Sequence, residues 1–325
     1  MTAAEPLVSV VTPFYNTAEY LDECIQSVLA QTHRNFEYIL VDNHSTDGSR
    51  EIAERWVTRD ARVRLEVNPA FVSQVQNYNG ALRHISPISK YTKIVQADDT
   101  MVPRCLTEMV ALADAHPSIG VVSAYRMYGT HVQPDEQPHP SAFIPGREAA
   151  RLVLADDNLY MFGSPTTLLL RSDLVRGRVP FYDEARFFED VDVVYDLLRE
   201  HDFGFVHQIL TFTRLEPGSI WGHMRGYKPR FVSRLLQLKL HGPYFLTEEE
   251  QTRHRTEHQA AYVRFLAWAW VRRREEKFWE FHRKALATVG IDIEQLPYRR
   301  EALRSAPRLL GTALVEWGQR RLNVD

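Results

Sequence analysis

The chain has 325 residues, 44% of them hydrophobic and 25% charged, with a formal net charge of −3. That length holds one large domain or two smaller ones, and the charge offers nothing global to nucleic acid. The two cysteines, Cys24 and Cys105, stand far apart in helical patterns. A disulfide framework or a zinc site is therefore not expected, and a reducing, cytoplasmic setting is. No basic, apolar leader opens the sequence and no apolar run reaches 18 residues, so neither a signal peptide nor a transmembrane helix is expected. Residues 251–325 carry 15 Lys/Arg against 9 Asp/Glu, a net +6, which leaves −9 on residues 1–250. The shift puts a boundary within 225–255.

Residues 7–12 (LVSVVT) form an apolar, β-branched run that predicts a buried strand, with Pro13-Phe14-Tyr15-Asn16 as the turn after it. From Thr17 onward, Tyr20, Leu21, Cys24, Ile25, Val28 and Leu29 recur at helical spacing. Residues 36–41 (FEYILV) predict a second strand, and 42–48 (DNHSTDG) a polar loop. A helix follows over 49–57, then a third strand over 63–67. Val75, Tyr78, Leu82 and Ile85 mark another helix. Residues 93–97 make a fourth strand that leads into Asp98-Asp99. A helix over 103–115 and a strand over 120–124 come next. The four prolines in 130–145 predict a long surface loop. Gly163-Ser164-Pro165 turns into a further strand, and 187–201 opens acidic and becomes helical. From Leu235 the pattern is all helical, with Thr247 and the acids behind it as a capping-type start. Strands separated by helices imply an α/β fold with a mainly parallel sheet flanked by helices.

Asp98-Asp99 ends a buried strand, where two adjacent carboxylates are costly unless something positive meets them. A divalent cation carrying substrate phosphates does so with one or two carboxylates. The other reading makes Asp99 or Thr100 the N-cap of the helix that Pro103 suggests. In a parallel sheet, ligands sit beyond the carboxyl ends of the strands. Thr12, Pro13, Asp42 and the aspartate pair all lie at that edge, which favours a binding crevice.

These residues carry a resemblance. The strand ending in Thr12-Pro13-Phe14-Tyr15-Asn16 and the helix ending in SVLAQT stand in order with Val41-Asp42 and the STDGS turn. The aspartate pair and Glu189-Asp190 follow. Together, over residues 7–225, they resemble family-2 inverting glycosyltransferases of the non-processive bacterial type. The resemblance implies a GT-A (Rossmann-like) catalytic domain over 1–225, with a nucleotide-binding half to about residue 100, an acceptor half over 101–225, and a helical region over 226–325. It implies a nucleotide-sugar donor with a uridine or thymidine base, Mg²⁺ or Mn²⁺, inversion at the anomeric carbon, and a glycan or lipid-linked acceptor at the cell surface. Thr12, Pro13, Tyr15, Asp42 and Asp98 would serve the donor, with Asp42 accepting from the base N3–H and Tyr15 covering base or ribose. Asp99 would bind the metal, joined by His223. Asp190 would be the base that takes the acceptor proton, with Glu189 beside it. Gly163, Ser164 and Trp221 would face acceptor or sugar.

Each assignment has a structural alternative: a loop cap for Asp42, packing for Tyr15 and Trp221, a plain turn for Gly163-Ser164, a helix-dipole partner for Glu189-Asp190. The run Gln96-Ala97-Asp98-Asp99-Thr100 departs from the many relatives that carry a third acidic or serine position, which blurs which carboxylate does what, and Tyr78 stands where many carry Arg, so phosphate contacts from that helix are in doubt. The transmembrane helices and Gln-x-x-Arg-Trp motif of processive synthases do not occur in the sequence. Trp268, Trp270, Arg272, Arg273, Arg274 and Trp279 suit either peripheral docking on the inner face of an anionic membrane or helical packing and homo-oligomerisation. A sugar-nucleotide nucleotidyltransferase is the alternative enzyme, but it needs a glycine-rich basic loop, and residues 7–20 hold no Gly, Lys or Arg. A non-catalytic interaction protein on the same fold would need a broken acid set.

Overall fold

Val8–Phe14 (β1) is buried at every position, as a strand covered by helices on both faces must be. The computed structural model describes residues 5–134, 140–156, 161–186, 188–215 and 225–304. The chain divides into two compact units, residues 1–216 and 217–325.

In the first unit, β1 lies between Phe36–Asp42 (β2) and Tyr91–Ile94 (β4), and β2 pairs onward with Val63–Val67 (β3), all in parallel. Leu21–Leu29 (α1), Ser49–Arg59 (α2) and Gln74–Leu82 (α3) make the crossovers. α1 buries Leu21, Cys24, Ile25 and Val28, the stripe that its spacing predicts. α3 starts on a capping box formed by Ser73 and Gln76. Both cysteines are buried and unbridged.

Past β4 the sheet becomes mixed. Thr100–Met101 (β5), Cys105–Ala115 (α4), Ile119–Tyr128 (β6), His131–Gln133 (β7), Phe143–Ile144 (β8), Gly146–Ala155 (α5), Leu169–Arg171 (β9), Ser172–Arg176 (α6), Glu189–Leu197 (α7) and Asp202–Thr213 (β10) follow in chain order. The sheet runs β3-β2-β1-β4-β9-β6-β10-β5. β9 is antiparallel to both β4 and β6, whereas the long β6–β10 pairing is parallel. The parallel expectation thus holds for the long strands, and the short ones supply the antiparallel pairs.

The second unit is helical where described: Pro229–Leu240 (α8), Gly242–Phe245 (α9), Glu248–Val271 (α10) and Glu276–Ala287 (α11). Thr247 and Glu250 cap α10 reciprocally. An aromatic core joins these helices, with the Phe231 and Phe265 rings stacked at 4.7 Å. The Tyr262 hydroxyl bonds His282 Nδ1 at 2.8 Å, and His282 Nε2 bonds the Tyr227 carbonyl at 3.0 Å. Burial pushes His282 down to about 4, so it is a neutral core histidine near pH 7. Trp268 stacks on Phe265 and lies under Arg272, and Trp279 stacks on Tyr298. Of the three tryptophans noted in the sequence only Trp270 is exposed, at 42%. Among the described residues no helix is long and apolar enough to cross a membrane.

Candidate active site

The carboxyl ends of β1 and β2 meet in register at Phe14 and Asp42. Thr12 is buried, with its hydroxyl 3.0 Å from Tyr38 Oη, and Pro13 is buried beside it. Tyr15 is the residue that turns outward: its ring is 44% exposed and lies 4.9 Å from Phe71, itself 61% exposed. Asn68 fixes the loop carrying Phe71 by donating to Asn43 at 3.0 Å and to Asn77 at 2.8 Å, and Asn43 Oδ1 takes the Val72 N–H at 3.1 Å. The Asp42 carboxylate is fully enclosed. One oxygen accepts from the Ser45 N–H at 2.8 Å, the other from Arg50 Nε at 2.7 Å and Nη2 at 2.6 Å.

β4 ends at Ile94 rather than at Ala97, and the aspartate pair lies in the turn between β4 and β5, closed by the Asp99 N–H on the Gln96 carbonyl at 2.9 Å. There Asp98 is half-buried and Asp99 is 1% exposed. Burial first, then the charge of Asp98, pushes Asp99 up to about 7, against Thr166, Arg126 and the Arg214 N–H, which lower it. The Arg214 N–H lies 3.3 Å from Asp99 Oδ1, and its guanidinium reaches the Asp98 carbonyl and Glu23. The capping alternative is overturned here. α4 begins at Cys105 with Arg104 at its N-cap, and Thr100 starts β5, so neither Asp99 nor Thr100 caps that helix.

Behind the pair lies Lys93, 0% exposed, whose ammonium donates to the carbonyls of Thr166 and, at 3.1 Å, Leu168. The Thr166 hydroxyl in turn accepts the Gln96 N–H at 3.0 Å. Lys93 thus ties the turn over 163–168 to the strand end that carries the aspartates. Within that turn Gly163 has φ +65°, and a Cβ there would sit 1.9 Å from Thr167 Oγ1. The glycine is therefore demanded by the turn itself. Ser164 completes the turn, its N–H donating to Thr167 Oγ1 at 2.7 Å.

Glu189 and Asp190 open α7, where the helix dipole favours acids. Burial still dominates. It pushes Glu189 up to about 7, aided by the charges of Asp190 and Asp192. Asp190 rises to about 6 through burial and then Asp192, although the Val191 N–H at 2.9 Å and the Arg126 charge lower it.

Arg126, on β6 and 5% exposed, is the residue that both acid groups feel, since its charge lowers Asp99 as well as Asp190. Two tyrosines span the same space. Burial first, then the charges of Asp98 and Asp99, raises the Tyr78 phenol, burial and then the charge of Asp190 raise that of Tyr182, and the two rings meet edge-on at 6.2 Å. Asn79 holds Tyr182 in place, its amide accepting the Tyr182 N–H at 2.8 Å and donating to its carbonyl at 2.9 Å. The structure thus brings Asp98, Asp99, Glu189 and Asp190 around one space, adds Arg126, Tyr78, Tyr182 and Arg214, and sets Asp42 and Tyr15 at the neighbouring strand ends. Trp221 and His223 lie outside the described residues. Sequence reasoning misses Arg126 because the expected strand stops at residue 124, whereas β6 runs on to Tyr128 and carries this buried charge.

The profile described as Glycosyl transferase family 2 matches residues 9–177. The chain is 38% identical over 229 residues to the glycosyltransferase GlyG of Streptococcus pneumoniae, covering 66% of this chain and 72% of that protein. Its fold is similar to that of S. aureus TarS, solved in complex with UDP-GlcNAc, with a TM-score of 0.61, 16% identity, and coverage of 87% of this chain and 81% of that one. The mannosyltransferase PcManGT of Pyrobaculum calidifontis, solved with GDP-Man and Mn²⁺, gives a TM-score of 0.57 at 16% identity over 97% of this chain and 84% of that one. With a mixed α/β GT-A architecture and a family profile spanning more than half its length, the chain belongs to glycosyl transferase family 2 and is a glycosyltransferase.

Proposed function

We propose that the enzyme moves one sugar from a nucleoside-diphosphate sugar, with a uridine or thymidine base favoured, to an acceptor hydroxyl with inversion, in the making of a cell-surface glycan or glycolipid. The observation that carries this reading is the pair of acid groups whose charges Arg126 tempers, one in the turn between β4 and β5 and one at the start of α7. The donors named in the TarS and PcManGT complexes support the donor class.

Asp190 accepts the acceptor hydroxyl's proton as that oxygen attacks the anomeric carbon and the bond to the diphosphate oxygen breaks on the opposite face. A carboxylate raised to about 6 is ionised at neutral pH yet basic enough to take the proton. Arg126 offers positive charge beside both acid groups as negative charge moves from acceptor to leaving group.

Asp98 and Asp99 fit Mg²⁺ or Mn²⁺: two crowded carboxylates, one of them held near neutrality by burial and its neighbour, gain from a divalent cation. Such an ion takes one or two carboxylates and completes its shell with diphosphate and water. When bound, the ion supplies Lewis-acid stabilisation of the leaving diphosphate. The basic helical unit supports peripheral membrane contact through exposed Trp270 and Arg273. Vesicle flotation of the full chain tests that assignment, and a chain left entirely unfloated contradicts it.

The test of transfer is Asp190→Asn. The variant should bind donor as the wild type does and lose at least about a hundredfold in rate, the lower end of what general-base removal costs. A near-normal rate places the base elsewhere.

A further inference from the structure

The end of α3, the chain that follows it to Pro87, the end of α6 and the segment over 178–181 enclose a cavity of about 410 Å³, a volume within the range of small-molecule sites. Its floor is apolar, made by the buried side chains of Leu82, Ile85, Val175 and Phe181, and Val179 at its lip is 69% exposed. Three arginines line it, and among the described residues no carboxylate does. Arg178 is neutralised by Asp196 at 2.7 Å. Arg176 is not. Its Nη1 donates to the carbonyls of Ser86 and Ser89, both at 3.1 Å, and to Ser89 Oγ at 3.3 Å, all neutral acceptors that hold the guanidinium without matching its charge. Arg83 is exposed and pairs with no acid among the described residues.

This cavity lies apart from the donor crevice. α3 leads to the amino end of β4 at Tyr91, and Arg171, just before α6, pairs with that same Tyr91. The cavity thus runs along α3 from the amino-end side of the sheet up to Asn79, whereas the aspartates lie past the carboxyl end of β4. We propose that it is a binding site for a lipid monophosphate, a single hydrocarbon chain that ends in a phosphate. An apolar floor alone takes any alkyl chain, and two unmatched guanidiniums alone take any small anion. Together they select a ligand that carries both. A phosphate brings nearly two charges and three acceptor oxygens, which suits two arginines better than a carboxylate does. Asn79, which lines the cavity, also holds the Tyr182 backbone, so the ligand abuts the segment that leads to Glu189 and Asp190.

Calorimetry of the full chain with octyl phosphate, in the absence of metal, tests the assignment. Octyl phosphate should bind saturably, and hexyl phosphate about tenfold more weakly, the scale of two buried methylenes. Inorganic phosphate and octanol each carry one part of the ligand and should both bind at least about tenfold more weakly. Saturating UDP with Mn²⁺ should leave the affinity for octyl phosphate unchanged. Arg83→Gln should lower that affinity about tenfold, the scale of a lost charged hydrogen bond. Val179→Asp, which sets a like charge at the exposed lip, should lower it by a similar factor. Both variants alter exposed side chains, and both should melt as the wild type does and bind UDP with Mn²⁺ as it does. The inference falls if octyl phosphate does not bind, if inorganic phosphate or octanol binds as tightly, or if hexyl phosphate does. It also falls if UDP displaces octyl phosphate, or if either variant keeps the wild-type affinity for it.

Discussion

Replacing the proposed base, Asp190, by its isostere Asn should make the protein more stable as it makes it inactive. Asp190 rises from the ordinary 3.8 to about 6, with burial as the leading cause. A rise of that size means that the fold disfavours the ionised carboxylate by roughly 3 kcal/mol. The sign is fixed by proton counting. Below about pH 4 both folded and unfolded chains hold the proton and nothing is lost. Between about pH 4 and 6 the unfolded chain releases it while the folded one keeps it, and stability falls as pH rises. Above about pH 6 the full penalty stands. Asp190→Asn keeps the shape without the charge. Its advantage over the wild type should therefore be absent near pH 4 and grow to about 2–3 kcal/mol by pH 8, the coupled ionisation of Glu189 taking part of the total. Urea unfolding of both proteins at the two pH values measures it. Equal stability at pH 8, or the same advantage at both pH values, would refute the claim that the acceptor-side acid is held in the fold at a cost.

Asp192 raises Asp190 and Arg126 lowers it, so the acid limb of the pH–rate profile should move down in Asp192→Asn and up in Arg126→Gln; limbs that move together would exclude Asp190 as the titrating base. Gly163→Ala should destabilise the protein by about 2 kcal/mol or more, from the left-handed backbone and the clash with Thr167. Thr167→Ala should recover part of that in a double-mutant cycle, and strict additivity would show that the two do not meet. Lys93→Met should slow transfer because the turn over 163–168 loses its tie to the aspartate strand, with both Thr166 and Leu168 carbonyls left short of a donor at about 1–3 kcal/mol each. Unchanged turnover and melting temperature would remove Lys93 from the site's support.

The first half of the sheet was legible because its strands are long enough to write apolar runs and its helices long enough to show a stripe. β3 has the predicted bounds, and β1 and β2 overlap theirs within a few residues. In the second half α4, β6 and α7 fall on predicted segments, and β9 on the strand expected after Gly163-Ser164-Pro165. β5, β7 and β8 have two or three residues each, too few for a period, and they depend on neighbours already in place. β10 has twelve residues but breaks its alternation over 207–209, where its register with β6 shifts. The acid pairs were readable because adjacent carboxylates at element ends stand out in any sequence. What surrounds them was not. Tyr78 and Tyr182 are 104 positions apart in the sequence and meet only when α3 packs beside the chain segment before α7. Arg50 reads as an ordinary helix-surface residue until Asp42 is seen beneath it.

The measurement that bears most directly on the central claim is binding of a panel of nucleoside-diphosphate sugars, with and without Mn²⁺, by wild type and Asp99→Asn. The wild type should bind a uridine- or thymidine-diphosphate sugar in a manner strengthened by Mn²⁺, and Asp99→Asn should lose the Mn²⁺-dependent part. Wild-type protein that binds no member of the panel, or an Asp99→Asn variant that responds to Mn²⁺ as the wild type does, would contradict the donor site placed at Asp98-Asp99.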